Sequence, residues 1–283
     1  MRKLLTALLI LFTLPAWALP ALVQQKQANA SSSAGVTTAS LAVVLTAPAT
    51  VGNAIGVGIV MSGSSTVTIT GVADDKGNIY AINSQGWSSG SFQGAGTATF
   101  VNLANAPQTI TVSYSIVSSG TIYMSAHAYE ISGATAVDTP SAANGQTSAS
   151  TALAASFTTA TANEFAIAAL GNNNSGASYS TNGWTNDLNG GSESDYYWHV
   201  SLSGSGANSL TATASAAVSS RWAIVALKAG GASCTNNFWS SAGAYAIPNG
   251  TTGSYRNVGT GAFSTPDCST GSYWLKSGAK GST

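Results

Sequence analysis

The sequence predicts an all-β fold, a sandwich or a barrel, on three observations. Short segments alternate apolar and hydroxyl-bearing residues with a period of two, as half-buried strands do. Gly, Asn and Ser recur between these segments, where turns need them, and 31 of the 283 residues are glycine. No convincing helix start interrupts the series.

The clearest strand pattern lies in residues 66–82. Val67 and Ile69 point to one side of the predicted strand, and the threonines between them point to the other. The segment Asp74-Asp75-Lys76-Gly77 then suits a type I turn, with Asp first and Gly where a positive φ costs little. We therefore expect an antiparallel hairpin that sets the register of the strands around it.

The N-terminal segment has the features of a secretory signal peptide. Basic Arg2 and Lys3 precede an apolar run, which ends at the A-x-A pattern of Ala16 and Ala18. We expect residues 1–18 to be removed and the mature chain to be extracellular or periplasmic, without a second membrane anchor. Residues 19–35 are rich in Gln, Ala and Ser and are predicted to be a flexible lead-in.

Charge is scarce and nearly balanced along the chain. Only 6% of residues are charged, with 9 Lys and Arg against 9 Asp and Glu. Loss of Arg2 and Lys3 leaves seven basic residues against nine acidic ones. A chain without a basic stripe does not neutralise a phosphate backbone, so we expect no nucleic-acid partner. Hydroxyl side chains in place of Lys and Glu are typical of an extracellular β-protein.

The predicted strands form two series of similar sequence. They are expected near residues 41–45, 54–61, 66–73, 79–82, 97–101, 109–114 and 121–131, and again near 153–157, 164–170, 178–180, 196–202, 209–213 and 221–227. Asn53 and Asn163 precede corresponding strands. We interpret this as a weak internal duplication in which neither half buries its apolar face alone, so residues 36–231 should form one sandwich domain.

Four short motifs carry a resemblance to a known group of proteins. They are the Gly52-Asn53 strand start, the D-x-x-G-N-x-Y pattern from Asp74 to Tyr80, A-Y-E-I-S-G at 128–133 and W-A-I-V-A-L-K at 222–228. On these motifs, residues 35–231 resemble a broad family of mostly uncharacterised secreted bacterial β-sandwich domains. The resemblance implies an antiparallel, jelly-roll-like sandwich and brings no catalytic residue with it.

The composition changes after Gly230 and Gly231. The only two cysteines, Cys234 and Cys268, bracket a segment rich in aromatic residues. In an exported protein they should pair, and the disulfide would stabilise this short segment by roughly 3–4 kcal/mol. We expect residues 232–283 to form a small disulfide-closed C-terminal segment.

Two groups of oxygen-bearing side chains are candidates for a Ca²⁺ site, and Ca²⁺ is the only cofactor that the sequence suggests. Asp74, Asp75 and Asn78 have the right ligand chemistry, but turn formation already explains each of them. Residues 187–195 hold three carboxylates in a glycine-rich loop, without the spacing of an EF-hand. These carboxylates are candidate metal ligands, with a solvated loop as the alternative: Asp187, Glu193 and Asp195.

Candidates for catalysis are few. Glu130 and Asp138 would serve as an acid and base only if a cleft brings their carboxyl groups about 5–10 Å apart. His127 and His199 both lie in strand patterns, where a lone histidine is more often a hydrogen-bonded core residue than a base. No motif supports a nucleophile, a zinc site or a phosphate loop, so the protein is predicted to be more a binding module than an enzyme.

Tryptophans in loop-like segments suggest a sugar-binding surface. A flat aromatic ring covers the C–H face of a sugar while neighbouring amides bind its hydroxyls. The alternative is that these rings cap the ends of the sandwich. The candidate ligand-binding residues are Trp87, Trp184, Trp198, Asn182 and Asn186.

Three functions are therefore compatible with the sequence. The first is a secreted, non-enzymatic module that binds carbohydrate or a cell-surface polymer. The second is a surface or appendage subunit that self-associates through an exposed edge strand. The third is an enzyme that acts on extracellular polysaccharide, which would need carboxylates or histidines converging in one cleft.

Overall fold

A computed structural model describes residues 19–32, 37–88, 93–117, 121–174, 178–189, 195–229, 252–256, 270–274 and 280–282. These residues form an all-β structure, with one 3-10 turn at Thr139–Ser141 and no α-helix among them. The described part holds no helix long and apolar enough to cross a membrane. The chain divides into two compact units, Met1–Ala229 and Gly230–Thr283.

The first half of the larger unit contains two antiparallel sheets. Sheet I has the order β1-β8-β3-β6-β5, and sheet II has the order β2-β7-β4. The strands are β1 (Ala21–Ser32), β2 (Thr38–Val44), β3 (Ala54–Gly63), β4 (Val67–Asp74), β5 (Ala81–Ser88), β6 (Gln93–Phe100), β7 (Thr109–Ile116) and β8 (Ile122–Ser132).

The second half forms one antiparallel sheet, sheet III, with the order β10-β15-β11-β14-β13 and with β9 and β12 also paired to β15. Its strands are β9 (Ala134–Val137), β10 (Ala143–Thr159), β11 (Glu164–Asn172), β12 (Tyr179–Thr181), β13 (Thr185–Asn189), β14 (Asp195–Leu202) and β15 (Gly206–Ala229).

Sheet III is folded over on itself. The register of β10 and β15 shifts between Thr147 and Ala152, and the parts of the two strands beyond that point share a core with β11 and β14. Tyr179 of β12 packs edge-on against Tyr196, with 4.7 Å between ring centroids. Sheet III thus has an inner layer and an outer layer, the outer one formed by residues 152–159, 179–181 and 206–214.

The two halves repeat one strand order. β8 lies between β1 and β3 and is followed across the sheet by β6 and β5. In the same way β15 lies between β10 and β11, followed by β14 and β13. In the outer layers, β7 lies between β2 and β4, as the outer part of β15 lies between the outer part of β10 and β12.

Each half buries its own core, which corrects the expectation that neither half could do so. Alternate residues of β3, among them Ile55 and Val57, face sheet II in one core. Alternate residues of β11, among them Ala166 and Ala168, face the outer layer of sheet III in another. The other faces of β3 and β11 meet between the halves, so the larger unit has four layers.

The flexible lead-in is wrong for most of its length. Ala21–Ser32 forms β1 and pairs with β8 along nearly its whole length. The composition is poor in apolar residues because β1 lies at the edge of sheet I, with six of its twelve residues half-buried and five exposed. Three glutamine side chains of β1 form hydrogen bonds with buried residues: Gln24 with Glu130, Gln25 with His127 and Gln27 with Asp195.

The predicted hairpin around Asp74 is half right. The turn forms, since the Gly77 amide donates to the Asp74 carbonyl at 3.1 Å. However, β4 belongs to sheet II and β5 to sheet I, so the two strands do not pair as a hairpin, and an isolated bridge joins Ala73 to Ile79 just before β5. The chain crosses between layers because Tyr80 buries its ring in the first core while its hydroxyl donates to Asp74.

The smaller unit contains three described strands, β16 (Thr252–Arg256), β17 (Thr270–Trp274) and β18 (Lys280–Ser282). β16 and β17 pair in parallel, so antiparallel pairing does not hold throughout. Both strands carry the sequence Thr-Gly-Ser-Tyr, aligned residue for residue. This four-residue repeat is visible in the sequence, but it was not used to predict strands in this segment. Cys234 and Cys268 lie outside the described residues, so their pairing stays a prediction.

Candidate functional site

The predicted sugar-binding tryptophans are mostly core residues. Trp198 on β14 is fully buried, stacked on Tyr196, and Trp184 is 7% exposed with Phe157 against its ring. Because a ring must expose its face to stack on a sugar, these two tryptophans do not form such a surface. Trp184 does lie between strands, in the turn from β12 to β13, but its ring is turned into the core, and Trp198 lies within β14, where a strand was predicted.

Trp87 and the two predicted asparagines are separate from that aromatic core. Trp87 on β5 packs partly buried over Gly94, where a Cβ would come 2.7 Å from the ring. Asn182 is exposed and its side-chain oxygen accepts from the Thr211 amide at 2.8 Å. Asn186 is exposed on β13. The described contacts do not bring these residues together into one aromatic-amide patch.

Asp187 belongs to a buried polar cluster between sheets I and III. A bulge in β13 lies between Asn186 and Leu188, at Asp187. Its carboxylate accepts from His199 Nδ1 at 2.8 Å and from the Tyr129 hydroxyl at 2.9 Å. The three groups link β13, β14 and β8, and therefore join the two halves of the larger unit.

Asp195 makes a second link of the same kind. It accepts from the Ser125 hydroxyl at 2.5 Å and from the Gln27 amide at 2.9 Å, and it is 1% exposed. Glu193, the third predicted metal ligand, lies outside the described residues. Within the described residues no three His, Cys, Asp or Glu side chains gather as a metal site would require.

The two histidines enter the same cluster from opposite sheets. His127 is 4% exposed, stacks on Tyr129 at 4.6 Å and donates through Nε2 to the Gln25 side-chain oxygen at 3.2 Å. Burial lowers the pKa of His127 to about 4, so the imidazole is neutral at pH 7. Burial likewise raises the pKa of Tyr129, with the Asp187 charge adding to it. The cluster is largely shielded from solvent, and its hydrogen bonds join the two halves.

The carboxylates at the turn after β4 accept hydrogen bonds from the turn itself and from the start of β7. Asp74 accepts from the Lys76 amide and from both the backbone and side-chain amides of Asn78, at 2.8–3.0 Å. Asp75 accepts from the Gln108 amide at 3.0 Å. Their oxygens face N–H donors, with the Tyr80 hydroxyl as a further donor to Asp74, which is the arrangement expected for turn formation and not for a cation.

Glu130 and Asp138 have no partner in common among the described contacts. Glu130 is buried and accepts from the Gln24 side chain, the Thr50 amide and the Asn53 side chain at 2.6–2.7 Å. Burial raises its pKa, but these hydrogen bonds outweigh that effect and the pKa is lowered overall. Glu130 therefore closes the loop before β3, and the predicted catalytic pair finds no support.

Asp138 instead meets Glu164, a residue that the sequence interpretation overlooked. The pKa of Glu164 is raised, first by burial and then by the neighbouring Asp138 carboxylate, against a hydrogen bond from Thr161. Asp138 accepts from the Ala160 amide at 2.6 Å, and Lys228 lies 3.8 Å away. Both carboxyl groups are buried, and they tie the segment before β10 to the start of β11.

The outer faces of sheet II and of the outer layer of sheet III are two accessible surfaces of the described part of the chain. On sheet II, which we call face 1, cross-strand rows run from Thr38 through Ser115 to Thr68 and from Ala42 through Thr111 to Ala73. The outward residues of face 1 are Thr38, Ser40, Ala42, Val44, Thr68, Thr70, Gly71, Ala73, Thr109, Thr111, Ser113 and Ser115.

Face 2 has the same chemistry on the second half. A row runs from Ala152 through Thr213 to Ser180, and the next from Ala154 to Thr211. Its outward residues are Ala152, Ala154, Ser156, Thr158, Ser180, Ala207, Ser209, Thr211 and Thr213. None of these described outward residues on either face is charged, and most carry a hydroxyl, which both donates and accepts hydrogen bonds.

No protein-family model matches the sequence, and a search of curated proteins finds no match to it.

Proposed function

We propose that the protein is an exported, non-enzymatic module that binds neutral carbohydrate, through face 1 and face 2 and not through loop tryptophans. The observation that carries this proposal is the chemistry of the two faces, which are broad and rich in hydroxyls without a charged side chain. A polymer of neutral sugars offers hydroxyls of the same kind and no charge that would need a partner.

The geometry of threonine on a strand supports this use. A β-branched side chain has few rotamers, so ordering it against a ligand costs little conformational entropy. Neighbouring strands lie about 4.8 Å apart and alternate residues about 6.7 Å, so the hydroxyls form a regular grid. Such a grid suits an extended chain or a flat polymer surface better than a single sugar.

The test is retention of the protein by insoluble cellulose, chitin and mannan. We expect the wild-type chain to be retained by at least one of them, and Thr111→Lys combined with Thr211→Lys to weaken retention by about tenfold or more, because both central strands then carry an ammonium group. Ser203→Lys is the control for an added ammonium group, since it places one at an exposed turn outside both faces. Failure of the wild-type chain to bind any of the three polymers would refute the proposal.

A second candidate function is self-association through β2. This strand pairs only with β7 among the described strands, in a regular seven-residue register, and carries no charge or proline to block further pairing. Sedimentation velocity over a wide concentration range tests it. A species that stays monomeric throughout would count against self-association and leave carbohydrate binding untouched.

We also propose that each half has jelly-roll connectivity, which the resemblance implies. The orders β1-β8-β3-β6 and β2-β7-β4 support it, with β5 beside β6 in sheet I as the departure. We further propose that Cys234 and Cys268 form a disulfide, as expected for an exported protein. Fractionation of cells that express the full chain, with mass analysis before and after reduction, tests export and disulfide together.

A further inference from the structure

We propose that one molecule cross-links two polymer strands or surfaces, because it carries face 1 and face 2 on opposite sides of a rigid stack. This inference rests on the proposed function and adds to it a valency of two. It depends on three features: the direction in which each face points, the likeness of the two faces and the stiffness of the layers between them.

The alternation of side chains along β3 and β11 sets the direction of the faces. Ile55 and Ile59 of β3 point into the core under sheet II, whereas Gly56 faces the other way, where a Cβ would come 2.8 Å from Ile167. Ile167 of β11 in turn faces sheet I, and its neighbour Ala168 faces the outer layer of sheet III. The layers therefore follow one another in a line, with face 1 at one end and face 2 at the other.

The likeness of the two faces follows from the repeated strand order. Each face has a three-stranded outer layer whose central strand presents alternating outward hydroxyls, Thr111 and Ser113 on β7, and Ser209 and Thr211 on β15. Each central strand is flanked on one side by a strand that mixes alanine with hydroxyl residues. Faces with the same chemistry should take the same class of ligand.

The layers between the faces are joined too tightly to let the faces turn toward each other. Apolar residues of both halves share a core that includes Tyr129, Phe165 and Leu227. The bonds from Tyr129 to Asp187 and from Gln27 to Asp195 bridge the same interface. With three layer spacings of about 10 Å each, the faces lie about 30 Å apart and back to back, so they cannot lie on one flat stretch of polymer.

The test is agglutination of beads coated with the polymer that the wild-type chain binds among cellulose, chitin and mannan. Thr111→Lys disables face 1 and Thr211→Lys disables face 2, at matched central positions. We expect the wild-type chain to agglutinate the beads and each single variant to bind them without agglutinating. The double variant should lose binding by about tenfold or more. Ser203→Lys should behave as wild type.

Several results would overturn the cross-linking while leaving carbohydrate binding intact. The first is a wild-type chain that binds the beads without agglutinating them. The second is that one single variant loses all binding while the other single variant binds as the wild type does. The third is that the single variants still agglutinate the beads, which would indicate self-association. If the wild-type chain binds none of the three polymers, the proposed function fails and the cross-linking fails with it. Circular dichroism of each variant establishes that a loss of binding is not a loss of fold.

Discussion

At the scale of single residues, buried polar groups in the described part of the chain connect elements that are distant in sequence. Glu130 accepts three hydrogen bonds that fasten β1 and the segment before β3, and Asp187 accepts from Tyr129 and His199 across the interface between the halves. Such groups stabilise a fold only while every partner is present, because a buried donor left without an acceptor costs free energy.

We expect Glu130→Ala to lower the free energy of unfolding by about 3 kcal/mol, since it leaves the donors of Gln24, Thr50 and Asn53 without their charged acceptor. Urea unfolding at pH 7 measures the change. Glu130→Gln keeps one carbonyl oxygen at the site and should lose clearly less. Equal losses in the two variants would contradict this expectation, because they would show that the carbonyl oxygen kept by Gln does not replace the charged acceptor.

His127 should make stability depend on pH. Its folded pKa of about 4 lies below the ordinary value of 6.5, so between these two values the unfolded chain binds a proton that the folded chain excludes. Stability due to this residue is therefore complete above pH 6.5 and falls as the pH drops toward 4, by about 3 kcal/mol at most.

Urea unfolding at pH 7 and pH 5 tests this expectation in the wild type and in His127→Phe. Phe fits the stacking position on Tyr129 and cannot take up a proton, so the variant should lose less stability between the two pH values than the wild type does. Identical pH dependence in the two proteins would mean that the proton goes elsewhere.

At the scale of strands and sheets, glycine determines how closely sheets I and III approach. Gly56 and Gly58 of β3 face Ile167 and Tyr197, and Gly171 of β11 lies against Val60. A Cβ at these positions would lie 2.8–3.0 Å from the nearest atom, which is closer than nearly all real Cβ contacts. The apolar strands between the halves thus pack without room for one more methyl group.

We expect Gly171→Ala to destabilise the protein by about 1–3 kcal/mol, because the new methyl group would lie 2.9 Å from Val60 Cγ1 and 3.1 Å from the Gly94 carbonyl oxygen. Gly71→Ala is the matched control, since Gly71 also lies in a strand but has open space where its Cβ would be. Thermal unfolding of both variants compares them. A Gly171→Ala protein as stable as Gly71→Ala would contradict the close packing.

At the scale of the whole molecule, the larger unit consists of two sandwiches of repeated strand order, joined through a shared core and a polar cluster. Each half has its own core, so packing within a half does not by itself require the two halves to fold together. The interface nevertheless buries Tyr129, Phe165 and Tyr197, large side chains that either half alone would expose.

We therefore expect the two halves to unfold together. Amide hydrogen exchange under native conditions, followed by mass spectrometry, should give peptides of β3 and of β11 the same free energy of opening. Two clearly different values would show that the halves are independent, in which case faces 1 and 2 would no longer be held in one rigid body.

The sequence by itself determined the local structure. Alternation of apolar and hydroxyl residues and the Gly, Asn and Asp turns depend on near neighbours only, so strands such as β3, β7 and β11 were predicted close to their observed positions, together with the turn at Asp74. The similarity of the two series likewise survives as a repeated strand order.

Tertiary structure alone decided which strands pair and which faces are covered. β1 has too few apolar residues to be recognised as a strand, and it is ordered by β8 and by the buried partners of its glutamines. The burial of Trp198 and the meeting of Asp138 with Glu164 depend on layers formed by residues far away in sequence. A period-two pattern indicates that a strand has two different faces. Which face is buried depends on contacts with residues distant along the chain, because those contacts supply the free energy of burial.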